Sequence, residues 1–266
     1  MIRDITIGQY YPADSLIHKL DPRVKLFGTF IYIIAIFSFR GLVGLVLVIA
    51  FLATMIKLSK VPFKFMMKGL KAIIVLMCLT ALFNLFLTNG EHVIWQWHWL
   101  HLTKEGIETA LKMIFRLISL ILGTSIMTLT TTPNALTDGL EKSLRVLRVI
   151  HVPVQEIAMM MAIALRFIPI LTEETDKIMR AQMARGADFE NGNLIKRAKA
   201  LIPLLVPLFV SAFRRANDLA MAMEARCYRV GAGRTKMKPL KYTKQDGAGY
   251  FILILFLISV VALRYV

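Results

Sequence analysis

Two arginines at matched positions are the residues of this chain best suited to bind a partner protein. They stand in Ala184-Arg185-Gly186 and in Ala225-Arg226-Cys227, each at the end of a long helical pattern. A guanidinium carries five N–H donors in a planar fork, so an arginine beyond a helix end can bind a partner's carboxylates and carbonyls. The helix dipole alone also explains an arginine in a last turn, and a glycine there terminates helices. The repetition of the ending on two helices favours partner binding.

The two helical patterns that carry these arginines share one layout. They cover residues 154–185 and 194–226, and in each an apolar half precedes a polar half. Prolines lie in the apolar halves and are expected to kink the helices. Methionines are frequent, which suits a surface that repacks against a moving partner and is equally typical of core packing. The prolines are Pro169, Pro203 and Pro207, and the methionines are Met159, Met160, Met161, Met179, Met183, Met221 and Met223.

The composition indicates a membrane protein. The chain has 266 residues, 57% of them apolar and 19% charged, with a formal net charge of +16. A soluble domain is nearer half apolar and a quarter charged. Long apolar runs explain the positive charge better as loops beside membrane spans than as a nucleic-acid surface, so no nucleic-acid partner is expected. The predicted fold class is an all-α integral membrane protein with about five transmembrane helices, plus the two long amphipathic helices.

Five apolar stretches approach the roughly 20 residues that a spanning helix needs. They cover residues 22–39, 42–56, 70–88, 107–131 and 250–266. The first begins at Asp21-Pro22, because aspartate is a good N-cap and proline suits the first helical position. The apolar halves of the two long patterns, at about 14 residues each, are shorter than a span.

The positive charge of the loops predicts the orientation. Lys and Arg concentrate before the first span, between the second and third, and between the fourth and fifth, and such loops stay cytoplasmic. The N-terminus is therefore expected inside and the C-terminus outside. Three regions follow: 1–131 with an N-terminal cytoplasmic segment and four spans, 132–249 at the cytoplasmic face, and 250–266 as the last span. The short inner loops carry Arg3, Lys19, Arg23, Lys25, Lys57, Lys60, Lys64, Lys68 and Lys71, and the outer side has Arg40, Lys104 and Arg264.

Few polar residues lie inside the predicted spans. Lys112 and Arg116 are one helical turn apart. They either line a polar pathway or extend to the membrane interface, with Glu108 pairing Lys112. Asn84 is expected to form an interhelical hydrogen bond rather than to bind a ligand.

The outer loop over residues 91–101 is rich in aromatic and imidazole side chains. Trp95, Trp97 and Trp99 are typical of an interfacial aromatic belt. His92, His98 and His101 could bind a metal ion, but nothing places them on one helix face beside a carboxylate. No metal site is predicted here, and interfacial anchoring is the favoured interpretation.

Other functional classes have less support in the sequence. The basic stretch 231–235 is not a phosphate-binding loop, because it lacks the G-x-x-x-x-G-K-[ST] spacing. Any energy input must therefore come from another protein. A permease with its own substrate site between the spans remains the alternative, although polar residues at mid-membrane are few. A membrane enzyme would need a matched nucleophile, base or metal cluster, which Glu173, Glu174, Asp176 and His151 do not form.

Over its whole length the chain resembles the transmembrane T component of energy-coupling factor (ECF) transporters, a prokaryotic class of ABC importers. The layout of spans and basic helices is similar, and the paired Ala-Arg-Gly-type motifs are the most specific feature. Cys227 departs from the commoner glycine, which weakens a helix-cap role there and leaves Arg226 in place. The opening is similar to that of the family in Gly8-Gln9-Tyr10, Ser15 and His18-Lys19-Leu20-Asp21-Pro22-Arg23-Val24-Lys25.

The resemblance implies a coupling subunit without catalysis of its own, in a prokaryotic cell membrane. Its partners would be two ABC ATPases, which bind ATP and Mg²⁺, and one membrane substrate-binding S subunit for a vitamin or metal ion; this chain would bind no cofactor. Arg185 and Arg226 would each dock in one ATPase, within the six motif residues 184–186 and 225–227. The apolar halves would contact the S subunit through Met160, Met161, Ala164, Ile168, Leu204, Val206 and Leu208.

Overall fold

The protein is described from a computed structural model, which covers residues 10–39, 41–88, 92–97, 100–187, 189, 193–229, 237 and 239–265. The described part is largely helical, which confirms the all-α membrane fold, with one small β-hairpin in addition. The elements are α1 Leu16–Lys19, α2 Pro22–Ser38, α3 Leu42–Ser59, α4 Phe63–Leu87, β1 Val93–Trp97, β2 Leu100–Thr103, α5 Lys104–Thr130, α6 Pro133–Ser143, a 3₁₀ helix Leu144–Ile150, α7 Val154–Ala184, α8 Leu194–Ala225 and α9 Lys244–Tyr265.

The chain forms two compact units. The first, which we call the membrane unit, contains α1 to α6, the hairpin and α9. The second, which we call the tip unit, contains the 3₁₀ helix, α7 and α8. Each unit is described by itself below.

The predicted helix bounds hold closely in the first half of the membrane unit. Asp21 is the N-cap of α2, and its carboxylate accepts a hydrogen bond from the Arg23 backbone N–H at 2.9 Å. The predicted break between the first two helices is confirmed, because α2 ends at Ser38 and α3 begins at Leu42, and Arg40 between them lies outside the described residues. Three helices start earlier than predicted, and the first residue of α5 is Lys104 rather than residue 107. α4 begins at Phe63 and bends by 62° between Phe63–Lys71 and Ile73–Phe86, and α9 begins at Lys244.

Among the described helices, four are long and apolar enough to cross a membrane, or five if the bent α4 is one span. The four are α5, α7, residues 199–225 of α8 and residues 244–263 of α9. Length and composition therefore do not separate α7 and α8 from the spans, contrary to our expectation from their short apolar halves. Both helices continue without a break from the apolar half into the polar half, so each apolar stretch is part of a longer helix.

The core of the membrane unit is built from α2, α3, α4, α5 and α9. Ile36 and Val260 are fully buried, and the rings of Phe51 on α3 and Phe256 on α9 stack with centroids 4.0 Å apart. Tyr32 on α2 is buried, and its hydroxyl donates to the carbonyl oxygen of Ser119 on α5 at 3.0 Å. A buried hydroxyl needs such a partner, so this bond fixes where α2 meets α5.

A buried hydrogen-bond network joins the start of α2 to the start of α9. The backbone N–H of Asp21 donates to Oδ1 of Asp246 at 2.8 Å. The other oxygen of Asp246 accepts from the N–H and hydroxyl of Thr243 at 2.7 and 2.8 Å. Arg23 donates from Nε and one terminal nitrogen to the Asp21 carboxylate, both at 3.0 Å, and its guanidinium lies over the Tyr242 ring.

The same end of α2 is also tied to the end of α5. The Lys25 ammonium is buried and donates to the carbonyl oxygen of Thr130 at 2.8 Å and to that of His18 at 3.1 Å. His18 in turn lies 2.9 Å from the carbonyl oxygen of Tyr11 through Nε2. The opening motif of the sequence therefore has a structural role, because it holds α2, α5 and α9 together at one end of the unit.

Two predictions about polar residues of the spans are settled by the structure. The ion pair of Lys112 with Glu108 is confirmed at 2.6 Å. The guanidinium of Arg116 lies 4.9 Å from the ring centroid of Phe39. The predicted interhelical bond of Asn84 is wrong, because its amide donates to the carbonyl oxygen of Thr80 on the same helix at 2.8 Å. That bond pairs one of the two amide N–H donors of Asn84 within α4.

The loop between α4 and α5, which the sequence predicts to lie outside, contains the antiparallel pair β1 and β2, which the sequence analysis did not predict. Trp95 and Trp97 lie on β1, and His101 lies on β2 opposite Gln96. His98 and Trp99 lie outside the described residues, so the aromatic-belt interpretation stays a prediction. Within the part of the chain that is described, no group of three potential metal ligands occurs.

Candidate docking site

The predicted helices α7 and α8 are confirmed and pack side by side in opposite directions. Near the end of α7, the Gln182 amide donates to the carbonyl oxygen of Pro203 in the first half of α8 at 3.3 Å. About two to three turns further in from that end, Arg215 of α8 donates to the Glu174 carboxylate of α7 at 2.6 Å. Residue numbers rise on one helix as they fall on the other, so the pair is antiparallel.

The other end of the pair shows the same arrangement. Met159 and Ile163 near the start of α7 line an open groove together with Met223 and Arg226 at the end of α8. Arg226 therefore lies beside the start of α7, whereas Arg185 lies at the opposite end, near Pro203. The stretch of α8 from Pro203 to Arg226 spans roughly 35 Å at about 1.5 Å per residue. The structure thus places the two predicted docking arginines far apart, one at each end of the pair.

The end of α7 is a Schellman motif. Arg185 is the C-cap residue, and Gly186 follows it in the left-handed region with φ 89°. The N–H of Gly186 donates to the carbonyl oxygen of Met183, and that of Ala187 to the carbonyl oxygen of Gln182, both at 3.0 Å. These are the two bonds that define the motif, and they leave the arginine as the last residue before the chain turns away.

The end of α8 has the same geometry. Arg226 is the C-cap residue, and Cys227 takes the left-handed conformation with φ 55°. The N–H of Cys227 donates to the carbonyl oxygen of Glu224 at 2.8 Å, and that of Tyr228 to the carbonyl oxygen of Met223 at 3.0 Å. Cysteine at this position does not prevent the cap, because both bonds of the Schellman motif form without glycine, and the expectation that it weakens the cap stays a prediction.

The cap geometry predicts opposite effects for two matched substitutions. A residue with a Cβ is strained in the left-handed region by about 1 kcal/mol or more. Gly186→Ala should therefore lower the thermal stability of the α7 end, and Cys227→Gly should leave the α8 end unchanged or stabilise it by up to about 1 kcal/mol. Hydrogen exchange of the last-turn amides in the two variants measures both effects. Stronger protection in Gly186→Ala than in the parent would contradict the assignment.

All six motif residues, 184–186 and 225–227, are exposed. Within the described ranges, neither Arg185 nor Arg226 forms an ion pair or hydrogen bond through its guanidinium. By contrast, Arg215 on the same helix pair is bound to Glu174. Both forks are unpaired as far as the described residues go, and each is therefore available to carboxylates or carbonyls of another protein.

Comparison with known proteins decides the family. The chain matches the CbiQ family, described as "Cobalt transport protein", over residues 13–237. It is 54% identical to the energy-coupling factor transporter transmembrane protein EcfT of Clostridium kluyveri over 98% of both chains. This chain belongs to the family of ECF transporter transmembrane proteins. It is therefore a multi-pass membrane component of a transporter.

Two further EcfT proteins agree. That of Ruminiclostridium cellulolyticum is 53% identical over 100% of this chain and 99% of its own. That of Bacillus subtilis is 46% identical over 92% of this chain and 93% of its own. The resemblance inferred from the paired motifs and the opening residues is thus confirmed along the whole chain.

The residues that the sequence proposed as a contact surface of this ECF component are mostly accessible. Met160, Met161, Ala164 and Val206 are exposed, and Ile168 and Leu208 are half-buried. Leu204 is only 6% exposed, so it packs within the fold and offers no surface in this structure.

Sequence reasoning missed part of the apolar surface of α8. Ile202, Phe209 and Phe213 are each more than half exposed and lie on one face with Val206. These four residues are four, three and four positions apart, which is about one helical turn each. This spacing could have predicted the apolar face from the sequence. An apolar stripe this exposed requires either lipid or a protein partner to cover it.

Proposed function

We propose that this chain is the non-catalytic coupling subunit of an ECF-type ABC importer for a vitamin or metal ion. It connects two cytoplasmic ABC ATPases to one membrane substrate-binding S subunit. ATP and Mg²⁺ bind in the ATPases, and this chain itself holds no cofactor. Arg185 and Arg226 each dock in one ATPase, and the exposed apolar faces of α7 and α8 contact the S subunit.

The observation that carries the proposal is the placement of two equivalent tips at opposite ends of one helix pair. Both ends have the same Schellman cap, and both present an exposed arginine without a partner among the described residues. A pair of similar ATPases offers two equivalent sites. Two equivalent guanidinium forks at a separation of roughly 35 Å fit such a partner, and a single-site partner would use only one of them.

The antiparallel packing indicates how motion is transmitted. Closure of the ATPases on ATP displaces both tips at once, and the helices are joined by the Glu174–Arg215 ion pair at 2.6 Å and by the Gln182–Pro203 bond. Helices linked in this way move as one body over small displacements, which is the rigid-body type of transition. The S subunit seated on the apolar faces of α7 and α8 then reorients and releases its substrate.

The proposal places the N-terminus and the tip unit in the cytoplasm of a prokaryotic cell and the C-terminus outside. We expect a cysteine introduced at Asn191, between α7 and α8, to resist an impermeant maleimide in intact cells and to react after permeabilisation. Cys78 and Cys227 are exposed and must first be replaced by serine. Gln96→Cys in the outer hairpin is the matched control and should react in intact cells. Labelling of the Asn191 position from outside would contradict the orientation.

Co-purification tests the assembly directly. The tagged full-length chain, extracted in mild detergent, should bring down two ATPase chains and one further small membrane protein, identified by mass spectrometry. Reconstituted alone in liposomes, the chain should move no substrate. Transport by the isolated chain would instead favour the alternative, a permease with its own site between the spans.

A further inference from the structure

An apolar cleft of about 310 Å³ lies inside the membrane unit, between α2, α3, α5 and α9. Tyr32 and Phe51 close its inner end, and Leu253 and Leu52 form buried walls. The volume is at the lower end of the range for ligand pockets. Most of its lining is apolar, which suits an apolar occupant better than ordered water.

The cleft is open on one side. Leu16 before α2, Leu58 at the end of α3 and Ile252 on α9 line it and are 58%, 41% and 50% exposed. Ala248 on α9 also lines the opening and is exposed. The opening therefore lies between α3 and α9, at the end of the unit where α2 and α9 begin. A lipid beside these helices can enter from the side without any rearrangement of the core.

One lysine lines the cleft, and two exposed lysines are next in sequence to residues that line it. Lys25 lines the cleft, and its ammonium donates to two carbonyl oxygens, which leaves capacity for a third acceptor. Lys57 and Lys244 are exposed and directly precede the lining residues Leu58 and Gln245. Among the described lining residues none is acidic. Asp246, next to Gln245, is 1% exposed, and the Asp21–Thr243 network holds its carboxylate.

We infer that this cleft binds one anionic phospholipid, with an acyl chain between α3 and α9 and the phosphate beside Lys57 and Lys244. A narrow apolar space lined by helix ends that carry lysines matches an alkyl chain linked to a negative headgroup. A zwitterionic lipid would fill the same space but gain less from the lysines. Each basic residue near an anionic headgroup contributes about a five-fold preference. The site is separate from the arginine tips and does not depend on the ATPase docking proposed above.

Native mass spectrometry of the full-length chain tests this inference. The chain is incubated in detergent with phosphatidylglycerol or phosphatidylcholine of identical acyl chains. We expect one phosphatidylglycerol retained per chain, in preference to phosphatidylcholine by about 30-fold for two lysines. The bound lipid should also raise the midpoint of thermal unfolding, because it binds only the folded state. Equal retention of the two lipids would overturn the inference.

Two matched pairs of variants locate the site. Ala248→Phe fills the opening and should lower lipid retention about ten-fold or more, whereas Ala262→Phe, exposed on the same helix outside the cleft, should not. Lys57→Gln with Lys244→Gln should abolish the headgroup preference. Lys64→Gln with Lys71→Gln removes the same charge from α4, which does not line the cleft, and should preserve it.

The two pairs fail independently. If Ala248→Phe does not fold, as judged by circular dichroism, the lysine pair alone decides, because surface glutamines leave the fold intact. Retention of phosphatidylglycerol by a folded Ala248→Phe at the parent level would overturn the site. So would an unchanged headgroup preference in the Lys57 and Lys244 double variant.

Discussion

Replacing Arg185 and Arg226 together by alanine will release the ATPases from this chain and stop uptake. Each tip is expected to be desolvated against a carboxylate in the assembly, and truncating one partner of such a pair costs on the order of 2–5 kcal/mol. Each single variant should therefore weaken association at least about 30-fold. The double variant should fall below detection, since the two sites reinforce each other only while both are occupied.

The control for this result lies on the same two helices. Arg180→Ala and Arg214→Ala remove exposed arginines from α7 and α8 away from the tips, with the same change in charge. Both should retain association in pull-downs with the purified ATPases and uptake at equal expression. Arg185→Lys and Arg226→Lys should rank between arginine and alanine, because lysine keeps the charge and loses the fork. Wild-type pull-down and uptake in the double alanine variant would refute the docking role.

Replacing Gly123 by alanine will destabilise the membrane unit more than any other addition of a single methyl group that we can propose. An added Cβ would overlap the ring of Tyr32. Moving the ring away costs free energy, because its hydroxyl is bonded to the Ser119 carbonyl at 3.0 Å. Overpacking of this kind costs about 1–3 kcal/mol or more, and the lost buried hydrogen bond adds to it. Thermal unfolding in detergent should show a clear fall in the midpoint.

Two further variants make the steric cause testable. Gly247→Ala on α9 adds the same methyl group where no atom lies within 4 Å, so its stability should be unchanged or slightly higher. Tyr32→Leu should restore part of the stability in the Gly123→Ala background, which is the coupling expected for residues in contact. A parent-like midpoint for Gly123→Ala alone would show that the helices adjust and that the contact is not restrictive.

The sequence predicted α7 and α8 closely because their ends carry local information. Pro153 precedes the start of α7, and Gly186 terminates it through backbone conformation, which depends on neighbouring residues only. The Cys227 cap was judged weaker from the residue type, but its two hydrogen bonds are made by the backbone and form in spite of the side chain.

The placement of the two tips could have been predicted and was missed. A connection as short as residues 186–193 between two long helices requires an antiparallel pair, so Arg185 and Arg226 must lie at opposite ends. The bond of Asp21 to Asp246 could not have been predicted in the same way. The two residues are 225 positions apart, and only the packing of α2 against α9 brings them together.

In the antiparallel pair, the distance between Arg185 and Arg226 depends on the lengths of the two helices. Inserting one residue into either helix would move its tip by about 1.5 Å and turn the guanidinium by about 100° around the axis. A deletion or insertion of the size that a surface loop tolerates would therefore displace one arginine while the other keeps its position. A change of a whole turn would restore the direction of the guanidinium but would still move it by about 5.4 Å. If the arginines dock as proposed, the lengths of α7 and α8 therefore matter as much as the arginines themselves.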